Sequence, residues 1–242
     1  MGIKLLKWEL RITAPFQCLA AAVYLAAGLL ILAPTYGLEY GSALEALFRD
    51  TDGYVRTALA NELFWLLSVI YLGVVLVRCQ IRFRQDLFAR SISPTRALPA
   101  GARAQLSTKA GVGFFWLLFS LSIVSLCVAL AILMNLVVLD TLGIVTPLSL
   151  LPGLVVLLSV AYYAAVLRQG KFRSMHKLSF ACAAAGIYLL SVLAVELLCA
   201  LPMAWGLTGI AFTLIRTLLM LACAVLYLVL TSRQMKRRFQ FE

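Results

Sequence analysis

Six apolar runs, at about 14–33, 59–79, 110–136, 149–167, 178–201 and 209–231, take up most of this 242-residue chain. Each is near or above the ~20 residues that a helix needs to cross a bilayer's hydrocarbon core. Lipid offers a backbone no hydrogen bonds, so a crossing segment is a helix or part of a closed barrel. The runs are continuous rather than alternating, which selects helices. The expected fold is all-α: a polytopic membrane protein with six transmembrane helices, forming one transmembrane domain over 1–242. Composition excludes the soluble alternatives. Only 13% of residues are charged, against about 25% in a soluble domain, too few to cover a water-facing surface. A disordered chain needs more polarity still.

The net charge of +11 could point to nucleic acid, but the position of the charges gives another meaning. Lys4, Lys7 and Arg11 precede the first span. Arg78, Arg82, Arg84, Arg90, Arg96, Arg103 and Lys109 lie between the second and third. Arg168, Lys171, Arg173 and Lys177 lie between the fourth and fifth, and Arg233, Lys236, Arg237 and Arg238 follow the sixth. The other side holds Arg49 and Arg56, together with Glu39, Glu45, Asp50, Asp52 and Asp140, while Arg216 sits within the last span. The positive-inside rule then places both termini in the cytoplasm, and no nucleic-acid partner is needed. The start of the chain is expected to be an uncleaved first span, because its apolar run is long and no small-residue cleavage site follows. Cys18, Cys79, Cys127, Cys182, Cys199 and Cys223 lie in or at the ends of spans, so no disulfide framework is expected.

Several chemistries lack their residues. There is no Gly-x-x-x-x-Gly-Lys-Ser/Thr loop to cradle ATP. His176 is the only histidine and lies among cations in an inner loop, which excludes a His-pair metalloprotease and leaves a Ser–His hydrolase without a placed base. No catalytic, metal or cofactor site is expected in this chain. No internal repeat supports an inverted-repeat transporter.

Three features rise above this background. First, Lys4, Lys7 and Arg11 form a narrow cationic stripe at helical spacing, with Trp8 among the apolar residues around it. This predicts an amphipathic helix over 1–13 lying in the membrane interface, with Pro15 marking the turn into the first span. Second, the inner loop at about 80–109 has seven Lys and Arg residues close by and one acid, Asp86, with Phe83, Leu87 and Phe88 spaced for one helical face and Leu98 beyond. Breaks are expected at 91–94 and 98–101, then a short helix over 103–109. Exposed apolar residues beside charges read as a docking surface. Third, Glu196 and Arg216 fall inside the fifth and sixth spans, and Glu62 near the outer end of the second. A charge in lipid costs several kcal/mol, so such residues pair or line a polar path. The short turn at 202–208 makes the last two spans antiparallel neighbours and predicts that Glu196 pairs with Arg216.

The opening Leu5-Leu6-Lys7-Trp8-Glu9-Leu10-Arg11 resembles the start of small six-span bacterial ABC exporter permeases of the type-2 class, which often begin Leu-Leu-Lys-aromatic-Glu-Leu. The inner loop is similar to theirs as well. Arg82-Phe83, Leu87-Phe88, Leu98-Pro99 and Lys109, ten residues after that proline, stand at the family's spacing. The family's Glu-Gly-Tyr-Leu stretch is replaced by Ser91-Ile92-Ser93-Pro94, so any contact made by that Glu or Tyr is absent. The resemblance implies a permease that pairs with a second copy or a related permease and with two cytoplasmic ABC ATPase subunits. ATP and Mg²⁺ would be held in those ATPases, with no cofactor in this chain. The resemblance also implies a coupling helix in the loop between the second and third spans, seated in the ATPase, and an interfacial initial helix above it.

The expected function is therefore export of a hydrophobic or amphipathic substrate (a peptide antibiotic, lipid or drug) across the bacterial cytoplasmic membrane. Phe83, Asp86, Leu87, Phe88, Leu98, Pro99 and Lys109 are expected to couple to the ATPase, Lys4, Lys7, Trp8 and Arg11 to meet membrane lipids, and Glu62, Glu196 and Arg216 to border the path. One alternative is a non-transporting anchor or sensor that recruits a cytoplasmic partner through the same basic loop. Another is the substrate-capturing membrane subunit of a vitamin importer.

Overall fold

A computed structural model describes residues 2–32, 53–88, 102–133, 150–170, 177–204 and 210–239. Among them there are six helices and no strand: α1 (Gly2–Leu32), α2 (Gly53–Phe88), α3 (Ala102–Leu133), α4 (Leu151–Gly170), α5 (Lys177–Ala204) and α6 (Ile210–Phe239). Each contains a segment long and apolar enough to cross a membrane. The all-helical, six-span expectation holds at this level.

The helices overrun the expected spans, and each overrun has a cause. α2 continues nine residues past position 79, to Phe88, because cations are good helix formers and no Gly or Pro interrupts the stretch. The 103–109 segment is not a separate short helix. It is the first part of α3, which runs unbroken into the third span. α1 runs from Gly2 through Pro15 to Leu32, so the expected turn at Pro15 is not a break. Proline there removes one backbone donor, and helices in membranes tolerate this where side chains re-satisfy nearby carbonyls. The carbonyl left short by Pro15 is that of Arg11; one residue before it, the Thr13 hydroxyl donates to the Leu10 carbonyl at 3.2 Å. Leu98, Pro99 and 91–94 lie outside the described residues.

The chain divides into two compact units, and the division falls inside helices. One comprises Met1–Glu9, Arg78–Phe114 and Leu151–Glu242. Its core is Val156, Val160, Val195, Cys199, Met220 and Ala224, from α4, α5 and α6. Polar pairs cross between these helices: Ser191 and Tyr227 share a 2.6 Å hydroxyl bond. Phe83 stacks on Tyr162 with centroids 4.1 Å apart and planes 14° from parallel. Gly113 lets α3 approach that site, since a Cβ there would lie 2.6 Å from Leu158 Cδ2 and 3.1 Å from the Tyr162 hydroxyl. Small residues at such crossings are how membrane helices pack closely. Gly113→Leu is therefore expected to lower stability by about 1–3 kcal/mol through overpacking, read as a lower unfolding midpoint in detergent. An unchanged midpoint would mean that the crossing has room to spare.

The other unit comprises Leu10–Val77 and Phe115–Leu150. Tyr24 stacks on Tyr71 at 4.6 Å, and its hydroxyl donates to Ser68 Oγ at 2.8 Å, while Ser68 donates to the Phe64 carbonyl at 2.8 Å. Trp116 Nε1 donates to Thr13 Oγ1 at 2.8 Å. Hydroxyls that satisfy each other or a carbonyl of their own helix are the polar linkages lipid permits. The exposed faces within the spans are largely apolar: Leu19, Val23 and Leu30 on α1, Leu66, Val69 and Ile70 on α2, and Leu189, Leu193 and Leu197 on α5 are all exposed. Such faces suit hydrocarbon, where exposed Leu and Val cost nothing.

Candidate functional site

Among the described residues, the strongest concentration of buried charge is where the start of α1 meets α2 and α3. At 100° per residue, Lys4, Lys7 and Arg11 share one side of α1, and Glu9 falls almost opposite. The three cations are exposed and Trp8 is half-buried. Glu9 is 1% exposed. One of its carboxylate oxygens, Oε1, accepts from Lys109 Nζ of α3, and Lys109 is itself 6% exposed. The other oxygen, Oε2, lies 4.0 Å from Arg82 Nη2 of α2, which is 20% exposed. Each oxygen thus faces a cation, and the cluster carries a net +1. Next to it in sequence, Phe83 is fully buried against Tyr162, whose hydroxyl reaches the Lys109 carbonyl at 3.5 Å.

A buried ion pair gains little net stability over apolar packing, but removing one partner is severe. The cluster therefore acts as a register device: it fixes which turns of three helices lie together. Among the described residues, no group of three or more His, Cys, Asp or Glu side chains could hold a metal.

The structure separates the expected site residues. Lys109 lies in the first turns of α3, inside the Glu9 cluster. Phe83 is an internal ring, not an exposed one, because α2 continues as helix and turns that face onto Tyr162. Asp86, Leu87 and Phe88 form the end of α2, and their side chains lie outside the described residues. Leu98 and Pro99 lie outside them altogether. Arg216 Nη2 and Nε lie 2.6 and 2.8 Å from Glu196 Oε1, with both side chains about two-fifths exposed. Glu62, in the other unit, is exposed. Sequence reasoning missed Glu9, Arg82 and Tyr162 as site residues. The available signal was Glu9 itself: an acid in a cationic segment, on the face opposite the stripe.

Compared with protein-family models, characterised proteins and solved structures, the chain matches none.

Proposed function

We propose that the chain is the membrane-spanning permease subunit of an ATP-driven exporter of the ABC type-2 class, with a hydrophobic or amphipathic substrate. One observation carries the reading. The two stretches that resemble the family lie far apart in sequence, yet both contribute to a single largely buried cluster: Glu9 from the opening motif, and Arg82 and Lys109 from the inner loop. A partner seated on the loop between α2 and α3 would move the ends of both helices. The cluster ties the start of α1 to the same ends, so the three would shift as one rigid set, as access switching requires. ATP and Mg²⁺ belong to cytoplasmic ATPase subunits, and a second permease, identical or related, completes the path. With both termini cytoplasmic by the charge bias, the setting is the bacterial plasma membrane.

The test is purification of the tagged chain from its native membrane in mild detergent, with co-purifying proteins identified. The expected result is a stoichiometric ATPase carrying a Gly-x-x-x-x-Gly-Lys-Ser/Thr loop. Asp86→Arg with Phe88→Ala is expected to reduce its retention several-fold without loss of folding. Recovery of the chain alone, or with a protein lacking that loop, counts against the exporter and favours the membrane anchor.

A further inference from the structure

A second feature of the first unit has no part in the charge cluster. A cavity of about 340 Å³ opens between α2, α4 and α5, within the ~300–1,000 Å³ range of ligand pockets. Arg84 and Arg168 border it near the ends of α2 and α4, with Phe180 at the start of α5. The rest of its wall is almost wholly small or apolar, including Leu157, Ala161 and Ala184. We infer that this groove binds one anionic phospholipid, with the headgroup phosphate at Arg84 and Arg168 and an acyl chain along α4 and α5.

Three lines converge on that occupant. The first is charge. Among the described residues no carboxylate lies within ion-pair distance of Arg84 or Arg168, and the Arg168 guanidinium sits 6.0 Å from the Phe180 ring centroid. The ends of α2 and α4 add roughly half a negative charge each, and the start of α5 roughly half a positive one. Two full positive charges outweigh them, so the mouth attracts an anion.

The second line is length. From Arg168 to Leu157 the α4 wall runs eleven residues, about 16 Å at 1.5 Å per residue. That is about half of a ~30 Å hydrocarbon core, the depth of one leaflet. A free anion would use the mouth and leave the apolar wall empty, whereas a phospholipid fills both. The third line is form. Basic pockets between spanning helices are a recognised mode of headgroup binding. On α2 the groove also has Gln80, whose Nε2 donates to the Ala161 carbonyl at 2.8 Å, pinning α2 to α4 along the wall.

The experiment uses the purified full chain in detergent, titrated with palmitoyl-oleoyl phosphatidylglycerol, with bound lipid counted by native mass spectrometry. Phosphatidylcholine with the same chains is the zwitterionic control, and inorganic phosphate the free-anion control. Phosphatidylglycerol is expected to bind at least tenfold more tightly than phosphatidylcholine. Arg84→Gln is expected to weaken it about fivefold, and Arg84→Gln with Arg168→Gln about thirtyfold. Ala181→Trp, which fills the apolar wall and leaves both arginines, is expected to weaken it comparably. Should the double variant fold poorly, Arg84→Gln alone decides, since Arg84 is exposed. Equal affinity for the two lipids overturns the proposal, as does unchanged binding in Arg84→Gln or Ala181→Trp. Displacement by inorganic phosphate at matched concentration also overturns it and assigns the mouth to a free anion.

Discussion

Replacing Glu9 by leucine is expected to destabilise the purified protein by about 3–5 kcal/mol. The reason is asymmetric. Lys109 and Arg82 both face the Glu9 carboxylate. Without it, two cations are left together, one of them 94% shielded, and both lose the carboxylate they face. Lys109→Met should cost less, because Arg82 still answers Glu9. Glu9→Leu with Lys109→Met should recover much of the loss, since Arg82 is partly exposed and can turn to water. Unfolding midpoints in one detergent, for the two single variants and the pair, measure all three. Additive losses would mean that the residues do not act as a pair. A Glu9→Leu protein as stable as the parent would mean that the carboxylate is not needed to hold the helix ends.

Phe83→Ala is expected to be nearly as damaging, at about 3–5 kcal/mol, because the ring is fully buried and stacked on Tyr162. The same experiment separates two roles for the residue. If Phe83 is a packing residue, the variant loses stability in the isolated chain, with no partner present. If it is a docking residue, the isolated chain is indifferent and only partner retention falls. Phe83→Leu, which keeps most of the apolar volume, should recover more than half of the stability in the first case.

The sequence made the spans legible because eighteen or more consecutive apolar residues have few other uses. It also made the Glu196–Arg216 pairing legible, because a short connection leaves antiparallel neighbours little choice of partner. Glu9 and Lys109 were different. They are 100 residues apart, and nothing local tells an acid in an interfacial helix that its partner lies two spans away. The burial of Phe83 was not legible for a related reason. Beside Arg82 and Arg84 it looks like part of a wet loop, yet α2 simply continues, and helical geometry sends neighbouring side chains to different surroundings: Arg84 outward and Phe83 inward. Polar residues within spans, such as Ser68 and Thr13, carried no periodic signal, since their hydroxyls answer to specific atoms rather than to a face.

The separation of Glu9 from Lys109 also has a consequence in time. A ribosome adding about 5–20 residues per second completes Glu9 some 5–20 s before Lys109. During that interval the first helix already has its carboxylate and none of its α3 partner. Insertion of α1 is therefore expected to leave Glu9 within reach of water until α2 brings Arg82 and α3 brings Lys109. On that order the cluster would be complete only late in assembly, once all three helices are present.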